Sequence, residues 1–419
     1  MFVSPSISPA ATNPKCGNDV HPQRVVVIVV SDLEFGGAQR QVIELVNHLN
    51  EDEWCVYVCS LASYVPLAES LNKRKQRFRL ILRQSRFDFT VVLRLARFLR
   101  EVQADVVHSY LFDAAIAARL AGKLAGRAAV IDTERNTGYT LKKIEAIAFR
   151  LTRWCNDLTI ANSRAGAAFN SKVLGHAPEN YRVIHNGVDV NRFKPQEESQ
   201  LRQKLKIAVD QPIVGMFASF KPQKNHSLLL RAAREIVQRV PNVRFLFVGD
   251  ELYKGMSESV EVKRTINELI DSFNLRRHCL FAGNQAQVER YYNLCTLTAL
   301  PSLFEGTPNA ALESMACGVP VVATDVSDNA YVIPDGKAGF IVPSGDEQML
   351  ANRICRLLTN EAELARMSQT ARQWALDEFS CQRLAEKTAA VYHEAINLKL
   401  TGRTLRRESV PFASTEAPR

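Results

Sequence analysis

The chain has 419 residues, which is long for one ordinary domain and suits two domains of about 180 to 200 residues each. Its hydrophobic content of 46% is typical of a globular protein, and its most hydrophobic run, Val25 to Val30, is far shorter than the roughly 20 residues that span a bilayer. Nine cysteines without a C-x-x-C pair argue against a zinc site and a disulfide framework, so we expect reduced, mostly buried thiols and a cytoplasmic protein.

Residues 1–23 are rich in proline and serine, lack the apolar core of a signal peptide, and are predicted to be disordered. Short strands and helices then alternate. The β-branched run "VVVIVVSD" is typical of a strand buried on both faces, and apolar residues at helical spacing predict a helix from Ala38 to Leu49. Ser163 is predicted to cap a later helix. The other predicted strands of this half are "CVYVCS", "ADVVHSY", "AAVIDTE" and "DLTIANS", with a helix at 114–124.

The net charge of +9 is unevenly spread, because residues 71–100 carry ten lysines and arginines against one acid, Asp88. Phenylalanines and leucines lie between these charges. One interpretation is a solvated helix face beside a basic loop, and the other is a basic, aromatic surface that contacts anionic lipid headgroups. Nucleic acid is a weaker interpretation, and we expect none to bind, because no nucleic-acid-binding motif accompanies the charge.

The segment "YRVIHNGVDVNRFKPQ" is interpreted as a domain junction, because Asn186-Gly187 predicts a turn and Pro195 ends the element. We therefore place an N-terminal domain at 24–195, a C-terminal domain at 196–398 and a tail at 399–419, and we expect the last helix to pack back on the N-terminal domain. Strands and helices alternate again in the second half. The predicted strands there are "PIVGMFASF", "VRFLFVGD", "CLFAG", "LTALPS" and "VPVVAT", and the predicted helices are 225–239, 260–273, 309–317, 361–379 and 383–398.

Strands separated by helices of this length predict parallel sheets with right-handed crossovers. The expected fold class is α/β, with two doubly wound, Rossmann-like domains that face a cleft. Because ligands of such sheets bind beyond the carboxyl ends of the strands, binding residues are expected directly after each strand.

The strongest motif is "LTALPSLFEGTPNAALESMACGVPVVAT". A strand ends before a loop that carries Glu305, and Asn309 is predicted to cap a short helix that contains Glu313. The free N-terminus of that helix offers backbone N–H groups and a positive dipole end, both suited to phosphate. An isolated Glu305 would be interpreted as loop solvation and an isolated Glu313 as a dipole partner, but the whole arrangement favours a ligand site.

This arrangement resembles the signature of family-4 retaining glycosyltransferases, in which two glutamates are separated by seven residues, as Glu305 and Glu313 are. The resemblance extends over most of residues 25–395 and implies the GT-B fold and a nucleoside diphosphate sugar as donor. It implies that Glu305 lies at the donor sugar with a catalytic role and that Glu313 holds the ribose. The adjoining residues expected to help bind the donor are Gly306, Thr307, Asn309 and Ala310.

The segment "FASFKPQKNHSLLLRAA" is similar to the first motif of the family's C-terminal domain, where an arginine and, five residues on, a lysine contact the donor diphosphate. Lys224 matches the lysine and is predicted to bind the donor and assist catalysis. Ser219 stands at the arginine position and is predicted to line the donor site, which leaves one phosphate charge unaccounted for. Lys221 is a candidate substitute. The alternative for Lys224 is an exposed residue before a helix.

The segment "FGGAQR" resembles the family's first glycine-rich loop. Because glycine has no Cβ, Gly36 and Gly37 let the backbone approach a ligand. We expect Gly37 on the donor side and Gly36 on the acceptor side, the alternative being an ordinary strand-to-helix turn.

The segment "DVVHSYLFDAA" carries His108 at a strand end that we expect to face the cleft, where imidazole can polarise a sugar hydroxyl. Family members often show His-x-His here, whereas this chain has Tyr110 in the second position. Four alternatives stay open, and three of them are functional: His108 acts as a catalytic residue, Tyr110 supplies an acceptor-side contact, or Asp113 contributes. A purely structural His108 is the fourth.

Neither G-x-G-x-x-G nor G-x-x-x-x-G-K-[ST] occurs, which argues against a dinucleotide site and a P-loop. No D-x-D occurs either, so we expect no metal and no other cofactor. The charge of the leaving group is then expected to be neutralised by Lys224 and the helix N-terminus at Asn309.

Resemblance and charge together predict a transferase (EC 2.4) that moves a sugar from a UDP- or GDP-sugar, with retention of configuration, to a glycan or lipid-linked acceptor. The expected setting is assembly of surface polysaccharide or lipopolysaccharide, with peripheral contact to an anionic membrane through residues 71–100. Closure across a hinge near Lys194 is expected to exclude water. Two alternatives stay open: a nucleotide-sugar epimerase or hydrolase of the same fold, and a catalytically silent sugar-nucleotide-binding subunit.

Overall fold

The computed structural model describes residues 23–34, 36–72, 77–85, 88–135, 142–250 and 257–402. The predicted disordered segment lies outside these residues except for Gln23, and so does the predicted tail beyond residue 402. Phe35 and residues 73–76 and 86–87 of the basic segment are outside them as well.

The N-terminal domain contains a parallel sheet of seven strands in the order β3-β2-β1-β4-β5-β6-β7. Its strands are β1 (Arg24–Val30), β2 (Trp54–Ser60), β3 (Phe78–Leu80), β4 (Val106–Tyr110), β5 (Ala129–Glu134), β6 (Leu158–Ala161) and β7 (Tyr181–Val183). Its helices are α1 (Gly37–His48), α2 (Thr90–Glu101), α3 (Phe112–Ala125), α4 (Lys143–Thr152) and α5 (Arg164–Leu174).

The C-terminal domain contains a parallel sheet of six strands in the order β10-β9-β8-β11-β12-β13. Its strands are β8 (Ile213–Phe217), β9 (Arg244–Val248), β10 (Cys279–Gly283), β11 (Leu297–Leu300), β12 (Val321–Thr324) and β13 (Gly339–Val342). Its helices begin with α6 (Ser199–Lys204), α7 (His226–Arg239), α8 (Ser257–Ser272), α9 (Val288–Tyr292) and α10 (Asn309–Ala316). The remaining helices are α11 (Asn329–Val332), α12 (Glu347–Thr359), α13 (Glu361–Phe379) and α14 (Cys381–Thr401).

Both sheets are doubly wound, because the strand order reverses between β1 and β4 in one sheet and between β8 and β11 in the other. Helices α2 and α3 pack on one face of the first sheet and α1 on the other. Strand β1 is therefore buried on both faces, which explains its unbroken run of valine and isoleucine. The predicted α/β fold with two Rossmann-like sheets is confirmed.

Helix α14 packs on the N-terminal sheet although it follows the C-terminal domain in sequence. Leu384, Val391 and Tyr392 lie in the same apolar cluster as Val26 and Ile28 of β1. The predicted start of the tail at residue 399 is wrong, because α14 continues to Thr401. Lys399 lies within this extra turn, with its Nζ 3.8 Å from Asp157 Oδ2.

The chain crosses from one domain to the other twice, and the two crossing segments are hydrogen-bonded to each other. The backbone N–H of Val188 donates to the carbonyl oxygen of Phe379 at 2.7 Å, and that of Cys381 donates back to Val188 at 3.1 Å. A Cβ on Gly187 would lie 3.1 Å from the Cα of Cys381 and 3.0 Å from the Cβ of Leu384, closer than ordinary packing allows. Glycine at this junction therefore lets the two crossing segments come together.

None of the helices that the structure describes is long and apolar enough to cross a membrane. Among the residues that the structure describes, seven cysteines carry free thiols, and six of these are buried.

Candidate active site

A cavity of about 400 Å³ lies at the carboxyl edge of the C-terminal sheet. Phe217, Val248 and Leu300, at the ends of β8, β9 and β11, form its floor. This is the edge at which doubly wound sheets bind ligands. The predicted site residues that line the cavity are Ser219, Lys224, Glu305, Thr307, Asn309, Ala310 and Glu313.

Glu305 is buried and forms an ion pair with Lys224. The Nζ of Lys224 lies 2.6 Å from Glu305 Oε1, and the hydroxyl of Ser302 donates to the same oxygen at 2.6 Å. The backbone N–H of Glu305 donates to Ser327 Oγ at 3.1 Å, which fixes the loop as well as the side chain. Lys224 remains partly exposed to the cavity, so its ammonium can also contact an anion bound there.

Glu313 lies one turn into α10 and points to the aromatic wall of the cavity. The hydroxyl of Tyr292 donates to Glu313 Oε2 at 2.9 Å, and the Tyr292 ring stacks on Phe217 with centroids 3.6 Å apart. Burial raises the pKa of the Glu313 carboxyl above its ordinary value, while the Tyr292 hydrogen bond and the charges of Arg40 and Arg192 oppose that rise. The second oxygen of the carboxylate is thus available to accept from a ligand hydroxyl.

The N-terminus of α10 opens into the cavity through Asn309 and Ala310. The prediction that Asn309 caps this helix is wrong. Pro308 is the N-cap residue, and Asn309 is the first helical residue. The Asn309 side chain instead accepts a hydrogen bond of 2.5 Å from Asn186 Nδ2. The first backbone N–H groups of α10 have no acceptor within the helix, so they suit an anion.

Thr307 and Gly306 lie at the contact between the two domains, and Thr307 lines the cavity as well. The Thr307 hydroxyl donates to the carbonyl oxygen of Asn162 and accepts from the backbone N–H of Asn186 at 3.3 Å. A Cβ on Gly306 would lie 2.8 Å from Nδ2 of Asn162. Both residues were predicted to bind the donor, and both lie where the N-terminal domain contacts the Glu305 loop.

The glycine-rich loop faces the cavity from the N-terminal domain. A Cβ on Gly37 would lie 3.5 Å from Asn309 Nδ2, an ordinary contact distance, whereas the three atoms nearest to one on Gly36 all belong to the Gln39 side chain. Neither glycine lines the described cavity. Arg40, which the sequence analysis did not single out, does line it and places a positive charge near Glu313.

Ser219 lines the cavity as predicted, without the charge that the family carries there. Lys221, the candidate substitute, is exposed and is not among the described residues that line the cavity. The cations that do line it are Lys224 and Arg40.

His108 does not face the cleft, so that prediction is wrong. The ring is fully buried in the middle of the sheet. Its Nδ1 lies 2.8 Å from the Tyr392 hydroxyl and its Nε2 lies 2.6 Å from Thr133 Oγ1. Burial lowers the pKa of His108 to about 3, which keeps the imidazole neutral. Both ring nitrogens are thus used within the protein, and the structural alternative is favoured.

Tyr110 and Asp113 are also engaged elsewhere. Tyr110 is buried with its ring centroid 4.6 Å from that of His108, so the predicted acceptor-side contact has no access. Asp113 forms an ion pair of 2.6 Å with Arg83. None of the three candidates from "DVVHSYLFDAA" therefore lines the described cavity.

Asp328 joins the domains close to the site. Its carboxylate accepts the backbone N–H groups of Arg164 at 2.7 Å and Ala165 at 3.1 Å, at the start of α5. His185 Nε2 lies 2.8 Å from the same carboxylate. These hydrogen bonds hold the pKa of Asp328 below its ordinary value although burial alone would raise it. Its neighbour Ser327 is the residue that accepts from the Glu305 backbone.

Within the described residues, one group of potential metal ligands comes together, formed by Glu44, His48 and Cys381. It lies between α1 and α14, away from the cavity, and burial raises the pKa of the Cys381 thiol. The expectation that the reaction needs no metal or other cofactor stays a prediction.

Both halves of the chain match known families. Residues 197–374 match the family described as "Glycosyl transferases group 1", and residues 35–192 match "Glycosyltransferase Family 4". These two matches together span most of the chain and divide at the domain junction.

Two curated relatives are similar to the chain over about four fifths of their own length. The chain is 24% identical over 321 residues to a UDP-Gal:alpha-D-GlcNAc-diphosphoundecaprenol alpha-1,3-galactosyltransferase of Escherichia coli, covering 74% of this chain and 80% of the relative. It is 27% identical over 324 residues to a GDP-mannose-dependent alpha-(1-6)-phosphatidylinositol monomannoside mannosyltransferase of Mycolicibacterium smegmatis, covering 71% and 79%.

Solved structures share the fold. HepE of Anabaena in complex with UDP superimposes with a TM-score of 0.77 at 22% identity, covering 88% of this chain and 99% of that chain. Its complex with UDP-glucose gives a TM-score of 0.74 at the same identity and coverage.

Proposed function

Since the chain belongs to the family-4 glycosyltransferases of group 1, we propose that it transfers a sugar from a nucleoside diphosphate sugar, with retention of configuration, to a glycan or lipid-linked acceptor. The observation that carries the proposal is the Lys224–Glu305 pair beside the N-terminus of α10, with Glu313 and Tyr292 further along the same cavity.

The donor diphosphate would lie at the cationic end of this cavity. Lys224, Arg40 and the first backbone N–H groups of α10 provide positive potential there. That potential stabilises the negative charge that develops on the leaving diphosphate as the glycosidic bond to it breaks. Arg40 supplies a cation that Ser219 cannot, and it comes from the opposite domain.

The nucleoside would extend along the aromatic wall. Glu313 can accept from both ribose hydroxyls while Tyr292 holds its other oxygen. Asn284 and Gln285, after β10, also line the cavity and have amide groups for a base. The two relatives named above use UDP-galactose and GDP-mannose, so a UDP- or GDP-sugar is the proposed donor.

The acceptor is proposed to be lipid-linked, like the acceptors for which both relatives are named, in the assembly of a surface polysaccharide or lipopolysaccharide. We also propose that the protein is cytoplasmic and that it contacts an anionic membrane peripherally through residues 71–100. In the described part of that segment, Leu80, Leu82, Phe89 and Leu93 are exposed.

Titration calorimetry with UDP, GDP and ADP tests the donor half of the proposal, and transfer of labelled sugar to undecaprenol-linked or short glycan acceptors tests the other half. We expect micromolar binding of UDP or GDP and acceptor-dependent product whose anomeric configuration matches the donor. Sugar release that does not depend on any acceptor would instead indicate a hydrolase, and binding without turnover would indicate a silent subunit.

A further inference from the structure

Helix α4 carries an apolar stripe on the side that faces away from the protein. Ile144, Ile147, Leu151 and Trp154 are exposed to 65%, 55%, 70% and 66%. They follow one another at spacings of three and four residues and so lie on one side of α4 and the 3₁₀ turn after it. The stripe is about 15 Å long, at a rise of about 1.5 Å per residue.

The stripe is not needed to hold α4 in place. Phe149 is the buried residue of α4, and it lies on the opposite side of the helix. Its ring packs edge-on against Phe112 with centroids 5.3 Å apart, and the Arg119 guanidinium lies 4.7 Å from its centroid. One apolar side of α4 thus anchors the helix to the protein, while a second apolar side is exposed to water. A surface helix normally has polar residues on its outer side.

Another surface helix of the same chain shows the ordinary arrangement. On α8, the exposed Arg264 pairs with Glu261 and Glu268 across the outer face. The corresponding face of α4 has no acid, because Glu145 is the one acid of this helix and accepts from the Lys142 backbone at 3.0 Å.

Positive charge borders the stripe. Lys142 and Lys143 are exposed at its beginning. Arg150 and Arg153 are exposed near its end, where their guanidinium groups also donate to the carbonyl oxygens of Val173 and Gly175. Lys123 of α3 lies over the Trp154 ring, with Nζ 5.3 Å from the centroid. Next to it, Leu124 is 49% exposed and extends the apolar surface onto α3. Apolar side chains bordered by cations complement the acyl chains and anionic headgroups of a bilayer.

We propose that this lipid-contact surface, defined as Ile144, Ile147, Leu151, Trp154 and Leu124 with the bordering cations, binds an anionic bilayer directly. It is separate from residues 71–100 in sequence. Helices α2 and α4 both contact α3, so the two segments lie in one layer of the N-terminal domain.

The position of α4 in the N-terminal domain relates the bilayer contact to the acceptor. The helix follows β5, whose carboxyl end lies at the edge of the N-terminal sheet that faces the cleft. A helix that follows a parallel strand begins on the side of the sheet where that strand ends. A bilayer held against the start of α4 could thus bring a membrane-bound acceptor to the cleft. This last step rests on the proposed function, whereas the bilayer contact itself does not.

Flotation of the full chain with vesicles tests the contact. With phosphatidylcholine vesicles containing about one third phosphatidylglycerol, we expect the protein to float at low salt and to be released at about 0.5 M salt. The double variant Ile147→Ser, Leu151→Ser should lower vesicle partition at least tenfold. Val209→Ser is the matched control, because Val209 is 91% exposed on the other domain and should not change partition.

Fluorescence gives a local readout. Trp154 is the exposed tryptophan, since Trp54 is buried and Trp374 half-buried, so vesicles should shift the emission of the wild type to the blue.

An unshifted spectrum, no flotation of the wild type, or equal flotation of wild type and double variant would each overturn the proposal. So would a stripe-dependent dimer in size-exclusion chromatography without vesicle binding. UDP and GDP affinity, measured in parallel, should be the same in wild type and double variant, so a failure of the proposed donor site is seen independently of the vesicle result.

Discussion

The carboxylate of Asp328 in the C-terminal domain accepts the backbone N–H of Arg164, in the N-terminal domain, at 2.7 Å. An acidic side chain at the first turn of a helix satisfies free N–H groups and complements the helix dipole. Here helix and carboxylate belong to different domains. Because Ser327 next to Asp328 also holds the Glu305 backbone, the same short loop links domain closure to the position of the catalytic candidate.

Asp328→Asn should therefore weaken closure more than donor binding. The change removes a charge-assisted hydrogen bond worth about 1.5 to 3 kcal/mol and places an amide N–H near other donors. We expect kcat to fall about tenfold or more while the Kd for UDP or GDP changes less than about threefold. Asp325→Asn, at an exposed position three residues earlier, is the control. Equal losses in the two variants would contradict the linkage.

Glu313→Gln should weaken nucleotide binding, because an amide accepts less strongly than a carboxylate from ribose hydroxyls. We expect the Kd for the preferred nucleotide to rise about 10- to 100-fold by calorimetry. The pKa of Glu313 is raised by burial, so protonation should weaken binding in the wild type at a pH above the ordinary glutamate range. As pH falls, affinity should drop more steeply in the wild type than in the variant, where only the titration of the nucleotide phosphate remains. A wild-type Kd in the variant would remove Glu313 from the donor site.

Lys224→Ala should cut transfer at least about 100-fold, the usual effect of removing a donor that stabilises developing charge. Glu305 would lose its partner at 2.6 Å as well. Lys221→Ala provides the matched control, since Lys221 is exposed and lies near Lys224 in sequence. Steady-state kinetics with the active donor should show a large loss in the first variant alone, and comparable rates in both would contradict the assignment.

His108→Ala should lower the stability of the fold rather than the rate of sugar transfer. The change leaves the buried hydroxyls of Tyr392 and Thr133 without their imidazole partner, at a cost of about 2 to 4 kcal/mol. The folded pKa of about 3 lies below the unfolded value near 6.5, so the neutral ring stabilises the fold fully above pH 6.5. That contribution is lost as pH falls toward 3, and the difference between wild type and variant should shrink by about 1.4 kcal/mol per pH unit.

Urea unfolding of both proteins at several pH values measures this difference. Activity of the folded variant, corrected for the unfolded fraction, should stay within about threefold of the wild type. A loss of two orders of magnitude without a change in stability would instead restore His108 as a catalytic residue.

Local patterns in the sequence predicted most of the fold. Helix α13 has the bounds that the sequence indicated, and Ser163 caps α5 by accepting from the Gly166 N–H at 3.0 Å. Helix α12 and strand β13 were not predicted. A signal for α12 was present, because Asp346 caps it and Leu350, Ile354 and Leu357 lie at helical spacing. Strand β13 has four residues and starts at a glycine, too short for a periodicity to show.

The site was predicted less completely because its geometry depends on contacts between distant parts of the chain. The Glu305 and Glu313 motif is local, and both residues line the cavity. The role of His108 depends on Tyr392, 284 residues later in sequence. Arg40 reaches the cavity only because one domain packs against the other. The motif "FGGAQR" therefore predicted a loop near the ligand, but it could not predict that Arg40 provides a positive charge there.

The return of α14 to the N-terminal sheet also constrains how the protein is made. A ribosome completes all seven strands of that sheet long before it reaches residue 381. Until α14 emerges, the face that receives Leu384 and Tyr392 is exposed, although the other face can already be covered by α2 and α3. Co-translational folding should thus finish the C-terminal domain before the N-terminal one, and the nascent chain should expose an apolar face suited to chaperone binding throughout that interval.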